Sequence, residues 1–215
     1  MSRRVALTGA TGTIGRALVA ALTARGDHVV ALTRDPARAR RSLGAEVETH
    51  AWPDPPRAVP PAEALRGADC VINLLGEPVA QRWSGETKQA IRDSRVLGTR
   101  MLVEGLRQLP EAEQPRTLVS GSAVGYYGAR GEEPLDEQAP PGSDFLAEVV
   151  VAWESEAAQA QSFTRVVMAR TGVVLSARGG ALAQMLPVFR LGLGGPVAGG
   201  RQYVPRIHLD DLLGG

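Results

Sequence analysis

Three glycines in the stretch TGATGTIG (residues 8–15) have the type and spacing that most directly indicate chemistry. In the pattern Gly9, Gly12 and Gly15, the first glycine permits a tight turn and the second lets a pyrophosphate approach the backbone. The third lets a helix pack closely against a strand. Free N–H groups at the start of that helix would then face the phosphates. The stretch predicts a dinucleotide site, and the alternative is a glycine-rich turn without a ligand.

The residues that follow the second predicted strand bear on which dinucleotide is bound. A carboxylate at this point holds the 2′-hydroxyl of the ribose, whereas an arginine accommodates a 2′-phosphate. The sequence here is Thr33, Arg34, Asp35, and the guanidinium of Arg34 matches a phosphate in charge and shape. We therefore expect NADP(H) rather than NAD(H). In the alternative, Asp35 takes the hydroxyl and Arg34 is an ordinary exposed arginine.

The elements that must position these residues alternate along the chain. Short β-branched runs predict strands that are buried on both faces, and the amphipathic stretches between them predict helices. Such alternation indicates an α/β fold, a Rossmann-like doubly wound parallel sheet. The predicted strands are residues 5–8, 28–33, 45–52, 69–75, 117–123 and 164–171, and the predicted helices are residues 13–25, a short one opened by Pro36, 84–109 and 145–161.

Composition excludes several classes of function. The 215 residues include 24 Lys and Arg against 23 Asp and Glu, so no global field attracts nucleic acid or an anionic membrane. A single cysteine, Cys70, excludes an internal disulfide framework and fits a reducing compartment. No targeting segment or membrane-spanning run is visible. We expect a cytoplasmic protein without nucleic-acid or membrane partners and, because too few histidines cluster, without a metal site.

Longer stretches resemble one particular family. Over nearly its whole length the chain is similar to an atypical branch of the extended short-chain dehydrogenase/reductases, the epimerase-like proteins labelled sugar-nucleotide epimerase or cell-division-inhibitor-like. The resemblance rests on INLLGEPV (72–79), RWSGETKQAIRDSRVLGT (82–99), VSGSAVGYYG (119–128), DFLAEVVVAWE (144–154), RTGVVLSARGGALAQMLPVFRLGLGGPV (170–197) and YVPRIHLDD (203–211).

The resemblance implies roles for individual positions. Ser120 and Ser122 follow the fifth strand, where this superfamily keeps its catalytic serine, and Ser122 is the closer match; alternatively, Ser122 only binds a loop. Arg95 would approach the cofactor from the long helix, or be an ordinary exposed charge. The full predicted cofactor-binding set is Gly9, Thr11, Gly12, Thr13, Ile14, Gly15, Thr33, Arg34, Leu74, Leu75, Gly76, Arg95, Ser120 and Val174.

The usual acid/base pair of the superfamily, Tyr-x-x-x-Lys, is missing. The matching positions hold Leu146 and Val150, or Phe145 and Val149 if the register is shifted by one residue, and neither pair can transfer a proton. Tyr126 and Tyr127 lie near Ser122 and offer substitute hydroxyl groups, although an adjacent pair of tyrosines in a loop more often serves packing. Two functions therefore stay open, an NADP(H)-dependent oxidoreductase or epimerase acting on an unknown, sugar-like small molecule, and a non-catalytic NADP(H)-binding sensor.

In the resembling family IHLDD (207–211) is a strand-to-helix segment in which an aspartate caps the helix; the alternative is that His208, Asp210 and Asp211 form a catalytic or metal cluster. The resembling family continues past the HLDD stretch with a strand that completes the sheet and with helices that cover the substrate cleft. We therefore expect a nucleotide-binding domain over residues 1–178 and a partial substrate-binding or lid region over residues 179–215. The apolar stretch ALAQMLPVFRLGLG (181–194) is read as a lid or cleft helix, with a membrane- or partner-binding module as a weaker alternative. By analogy with the fold, a homodimer is expected.

Overall fold

A sheet of six parallel strands is the centre of the fold. The computed structural model describes residues 2–177, 179–196 and 198–214. The strands are Arg4–Thr8 (β1), His28–Thr33 (β2), Glu48–Ala51 (β3), Cys70–Asn73 (β4), Thr117–Ala123 (β5) and Arg165–Thr171 (β6). They are arranged in the order β3-β2-β1-β4-β5-β6, and all five pairings are parallel. The order reverses between β1 and β4, which is where such sheets bind their ligands.

Helices cover both faces of this sheet, as the alternation of elements predicted. Successive side chains of a strand point to opposite faces, so Ala6 packs in one apolar cluster with Leu102 and Leu106, whereas Leu7 packs in another with Val19. Both faces are therefore buried, and the doubly wound α/β fold is confirmed. The helices that connect the strands are Thr13–Ala24 (α1), Pro36–Leu43 (α2), Ala62–Leu65 (α3), Gly85–Arg107 (α4) and Phe145–Ala158 (α5).

The C-terminal part of the chain forms a second, smaller sheet. Its two strands, Val173–Leu175 (β7) and Arg206–His208 (β8), pair in parallel, and the helices Gly180–Arg190 (α6) and Leu209–Gly214 (α7) follow them. A Cβ atom at Gly179 would lie 2.5 Å from Oγ1 of Thr13, the first residue of α1. The C-terminal segment thus packs directly against the start of α1.

Two further features bear on the sequence expectations. No helix in the described ranges is long and apolar enough to cross a membrane. The helix α6 leaves several apolar side chains exposed, among them Met185, Val188 and Phe189.

Candidate functional site

A cleft of about 550 Å³ lies beyond the carboxyl ends of β1 to β4, at the switch point of the sheet. It brings together the glycine turn, the end of β2, the loop after β3 and the loop after β4. Eight of the predicted cofactor-binding residues line it: Gly9, Thr11, Gly12, Thr33, Arg34, Leu74, Leu75 and Gly76. The other predicted site residues, Thr13, Ile14, Gly15, Arg95, Ser120, Ser122 and Val174, lie outside its lining.

The three glycines of the turn differ in what they permit. Gly9 has a φ of +66°, a left-handed conformation that favours glycine, and a side chain there would collide with the carbonyl of Leu74. Gly15 is buried against the carbonyl oxygen of Gly9, so it allows α1 to pack on the turn. Gly12 is different, because a Cβ atom there would meet only the Gly9 carbonyl oxygen, at 3.3 Å. The fold itself therefore requires glycine least at position 12, and close approach of a ligand gives a reason for it there.

The N-terminus of α1 is suited to an anion. Its N-cap, Gly12, provides no side-chain hydrogen bond, and the first turn contains no acidic residue. The helices α2, α4 and α5, by contrast, are capped by the side chains of Asp35, Ser84 and Asp144. Among the described residues, no side chain caps the backbone N–H groups of the first turn of α1, and the helix dipole favours negative charge beside them.

At the end of β2, the structure shows which of Arg34 and Asp35 is directed to the cleft. The carboxylate of Asp35 accepts a hydrogen bond from the Arg38 backbone N–H at 2.9 Å and caps α2. Its own N–H donates to Oγ1 of Thr33 at 3.3 Å. Arg34 is exposed and lines the cleft. The acidic side chain is thus used within the fold, and the basic one is presented to the cleft.

Buried polar side chains hold the loop after β4. Oγ1 of Thr8 donates to Oδ1 of Asn73 at 2.9 Å and accepts the N–H of Leu74 at 2.9 Å. Nδ2 of Asn73 donates to Oγ1 of Thr99 at 2.8 Å, and the indole N–H of Trp153 donates to the same oxygen at 2.9 Å. This chain of contacts links β1 and β4 to α4 and α5, so it fixes the backbone that forms one wall of the cleft.

Arg95 holds the loop after β4 through a hydrogen bond to its backbone. Its guanidinium donates to the carbonyl oxygens of Glu77 and Ile91, at 3.0 and 3.2 Å. A Cβ atom at Gly76 would lie 2.9 Å from the guanidinium carbon. Burial lowers the pKa of Arg95 from its ordinary value. The side chain therefore packs beneath the loop 76–77 and lies outside the lining of the cleft.

Ser122 is part of a buried ionic cluster. Its hydroxyl donates to Oε1 of Glu154 at 2.5 Å, and Arg170 binds both oxygens of that carboxylate at 2.8 Å each. Burial opposes ionisation of Glu154, but the hydrogen bonds from Arg170 and Ser122 outweigh it and lower its pKa. Ser120 is also buried, and its hydroxyl donates to the Gly121 carbonyl at 3.3 Å. Sequence reasoning did not find this cluster, because Glu154 lies 32 residues from Ser122.

The positions that match the missing acid/base pair belong to the packing of α5. Val150 is only 4% exposed, and Leu146 faces the 3-10 turn Val124–Tyr127, where a Cβ atom at Gly125 would lie 3.7 Å from its own Cβ. Val174 lies in β7, paired with Ile207.

The loop after β3 contributes lining residues that sequence reasoning missed. Trp52, Asp54 and three prolines of this loop line the cleft, although the density of prolines in the sequence indicates only an irregular connection. Trp52 is anchored by its indole N–H, which donates to the Ala58 carbonyl at 2.7 Å. The position of this loop in the sequence could have indicated its role, because a loop that follows a parallel strand of this sheet begins at the ligand-binding edge.

The chain is similar to proteins of several organisms. A family model described as "NAD dependent epimerase/dehydratase family" matches residues 5–213. A chloroplastic epimerase family protein, the SDR39U1 homologue of Arabidopsis thaliana, is 41% identical over 97% of this chain and 60% of its own length. An epimerase family protein of Mycobacterium bovis is 44% identical over 96% of this chain and 65% of its own length. The chain thus spans somewhat less than two thirds of these relatives.

Solved structures agree with the fold. The human epimerase family protein SDR39U1, solved with NADPH, superposes with a TM-score of 0.81 at 34% identity, over 98% of this chain and 68% of that one. A nucleoside-diphosphate sugar epimerase of Corynebacterium glutamicum gives 0.79 at 38% identity, over 99% of this chain and 42% of that one. On the family match and these relatives, the chain belongs to the NAD dependent epimerase/dehydratase family.

Proposed function

We propose that this chain binds NADP(H) in the cleft at the switch point and acts as an NADP(H)-dependent oxidoreductase or epimerase on a sugar-like small molecule. The observation that carries the choice of cofactor is the division of roles after β2. Asp35 caps α2, while Arg34 lines the cleft and, among the described residues, forms no ion pair. A guanidinium at this position suits a 2′-phosphate.

Two relatives support the proposal. Human SDR39U1, at 34% identity, is described in complex with NADPH. The protein of Corynebacterium glutamicum, at 38% identity, is described as a nucleoside-diphosphate sugar epimerase. Both are longer than this chain, so substrate and activity are carried over from them here only as part of the proposal.

The residues fit a dinucleotide in three places. The uncapped start of α1 and the open side of Gly12 suit a pyrophosphate. Pro53, Pro55 and Pro56, beside the almost fully buried Trp52, offer an adenine an apolar wall, and Arg34 lies at the end of the neighbouring strand. A bound NADP(H) would supply or accept a hydride. The chain itself would orient the dinucleotide through these groups.

One observation favours a second candidate, a non-catalytic NADP(H)-binding sensor. Leu146 and Val150 occupy the positions of the usual tyrosine and lysine, and neither transfers a proton. Loss of a general acid or base costs about 10²–10⁴-fold in rate. Two assays separate the candidates. Absorbance at 340 nm, followed with NADPH and a library of carbonyl compounds, detects a reductase, and NMR of nucleotide sugars incubated with the chain and NADP⁺ detects an epimerase, which regenerates its cofactor. Turnover in either assay supports the enzyme, and no turnover in both with bound NADPH supports the sensor.

The cofactor assignment is tested by Arg34→Ala. Loss of one charge-assisted hydrogen bond, about 1.5–3 kcal/mol, should weaken NADPH binding by roughly 10- to 150-fold. NADH lacks the 2′-phosphate, so its affinity should hardly change. Arg38→Ala is the matched control, because Arg38 is also exposed but does not line the cleft. Equal losses for NADPH and NADH, measured by calorimetry, would remove the assignment.

We also propose a cytoplasmic location. It is supported by the free thiol of Cys70, the sole cysteine of the sequence, because reduced thiols persist in reducing compartments. Fractionation of cells with an antibody against the chain tests this, and recovery from an oxidising compartment would contradict it.

A further inference from the structure

Tyr126 lies on the edge of the sheet that carries the cleft, although it is not among the residues that line the cleft. It lies in the 3-10 turn Val124–Tyr127, directly after β5. Among the described residues no group forms a hydrogen bond with its hydroxyl, and this oxygen is not among the buried atoms that lack a partner. The hydroxyl is therefore not fully buried, and it has no hydrogen-bond partner in the part of the chain that the structure describes.

A fixed cation covers the ring of Tyr126. The guanidinium carbon of Arg170 lies 3.5 Å from the ring centroid, well inside the range of cation–π contacts. The N–H groups of Arg170 point along other directions, two to the carboxylate of Glu154, one to the hydroxyl of Tyr127 and one to the Glu137 carbonyl. These bonds hold the guanidinium plane in place, so its face is presented to the ring of Tyr126.

The neighbouring tyrosine is used for packing. Tyr127 is 8% exposed, and its hydroxyl accepts a hydrogen bond from Arg170 at 3.0 Å. Its ring meets that of Tyr126 edge to face, with centroids 5.2 Å apart. Of the two tyrosines that the sequence offered as substitutes, one is thus a support for Arg170 and the other carries a free hydroxyl.

The turn lies where the acid/base group is missing. Gly125, next to Tyr126, packs against Leu146, which occupies the position of the superfamily tyrosine. Ser122, three residues before Gly125, shares the Glu154–Arg170 cluster. The edge of the sheet is the one that carries the cleft, because β5 is parallel to β4 and the turn follows its carboxyl end.

We propose that Tyr126 is the proton donor and acceptor of this site, with Arg170 as the cation that accompanies it, in place of the missing tyrosine and lysine. This rests on the proposed NADP(H)-dependent function. In reduction of a carbonyl substrate, the O–H bond of Tyr126 breaks and a new O–H bond forms on the carbonyl oxygen, while NADPH is the reductant. The negative charge left on the phenol oxygen is attracted by Arg170, and the proton is restored from water.

The first test measures the chemical reactivity of the Tyr126 hydroxyl and needs no enzymatic turnover. An arylsulfonyl fluoride modifies accessible tyrosine hydroxyls, and mass spectrometry locates the product. The chain has three tyrosines, so Tyr127 serves as the buried control and Tyr203, which is 66% exposed, as the exposed control. We expect Tyr126 and Tyr203 to be modified and Tyr127 to stay unmodified. With NADPH at 100 times its Kd, modification of Tyr126 should slow by up to about 100-fold while Tyr203 is unchanged.

Calorimetry on the same sample separates the two proposals. If NADPH binds and Tyr126 is modified at an unchanged rate, or if Tyr126 is not modified at all, the assignment of Tyr126 is wrong and NADPH binding stands. If NADPH does not bind, the proposed function fails, and the assignment fails with it.

The second test is Tyr126→Phe. Because the hydroxyl has no partner among the described residues and the ring is kept, Tm and NADPH affinity should stay at wild-type values, while the kcat of NADPH consumption falls by about 10²–10⁴-fold. Tyr203→Phe is the control, since Tyr203 is exposed and lies outside the Glu154–Arg170 cluster, so its Tm and kcat should both stay at wild-type values. Consumption by Tyr126→Phe at the wild-type rate would overturn the proposal.

Discussion

Substitution of Gly12 by alanine should separate ligand binding from folding. A Cβ atom at this position meets only the Gly9 carbonyl oxygen, at 3.3 Å, and the backbone has φ −73° and ψ 176°, which alanine adopts without strain. Alanine is a poorer N-cap than glycine by several tenths of a kcal/mol. It also reduces the conformational entropy of the unfolded chain, which stabilises the fold by about 0.4–1 kcal/mol. These effects oppose each other, so Tm should change by less than about 4 °C.

Gly12→Ala should change the affinity for NADPH much more than it changes Tm. The added methyl group occupies the space through which a pyrophosphate would approach the N–H groups of α1. Loss of one charge-assisted hydrogen bond, about 1.5–3 kcal/mol, corresponds to roughly 10- to 150-fold weaker binding of NADPH. The same factor should apply to NADH, because both dinucleotides contain the pyrophosphate.

Gly15→Ala provides the contrast. Gly15 is buried, and a side chain there collides with the Gly9 carbonyl oxygen and the backbone of Ala10. Overpacking of this kind costs about 1–3 kcal/mol, which lowers Tm by about 2–12 °C in a chain of this size. The assays are calorimetric titration with NADPH and thermal unfolding followed by circular dichroism. The reasoning is refuted if Gly12→Ala binds as the wild type does, or if it unfolds as early as Gly15→Ala.

Two further predictions concern charged clusters. The hydrogen bond from Arg4 holds the pKa of Glu48 down at about 2, so ionised Glu48 stabilises the fold above its unfolded pKa near 4.5, and this contribution is lost as pH falls toward 2. Glu48→Gln should lower the free energy of unfolding at pH 7, measured with urea, by about 1–2 kcal/mol, a value reduced because Glu48 is partly exposed to solvent. The difference in unfolding free energy between the variant and the wild type should shrink below pH 4, and a difference that stays constant with pH would contradict this. Glu154→Gln leaves Arg170 without its counter-charge and should cost about 3 kcal/mol, or about 6–12 °C in Tm. Ser122→Ala removes one hydrogen bond to a charged acceptor and should cost about 1.5–3 kcal/mol. A larger loss for Ser122→Ala than for Glu154→Gln would contradict the ion pair.

Most of the sheet and its helices could be predicted from the sequence, because buried runs and helical periodicity are local signals. β5 was predicted at residues 117–123, as the structure has it, and α4 was predicted at 84–109 against the observed Gly85–Arg107. The short helix α3 was missed, since four residues after a run of prolines carry no period. The strand β7 was missed because it has only three residues, within a glycine-containing stretch.

The segment IHLDD shows how a local signal can give the right element and the wrong contact. A strand followed by a helix was predicted there, and β8 and α7 confirm it. An aspartate was expected to cap the helix, but it is Nδ1 of His208 that accepts the N–H of Asp210, at 3.3 Å. The residue at the cap position is fixed by where the strand ends, which the sequence pattern does not determine to one residue.

The site was predictable only where it depends on local geometry. The glycine turn follows from spacing, and it lines the cleft. The link from Ser122 to Glu154 and Arg170 joins three elements, and only the register of β5 on β6, in which Ser122 is opposite Arg170, brings these groups together. Glu154 is thus the centre of a cluster that no local pattern of the sequence indicates.

The central claim is that the cleft at the switch point binds NADP(H). Calorimetric titration of the purified chain with NADPH, followed by NADH, tests it most directly. The account predicts saturable binding of NADPH with an affinity roughly 10 to 150 times that for NADH, the factor expected from one phosphate–arginine contact. Absence of binding for both dinucleotides would contradict the claim.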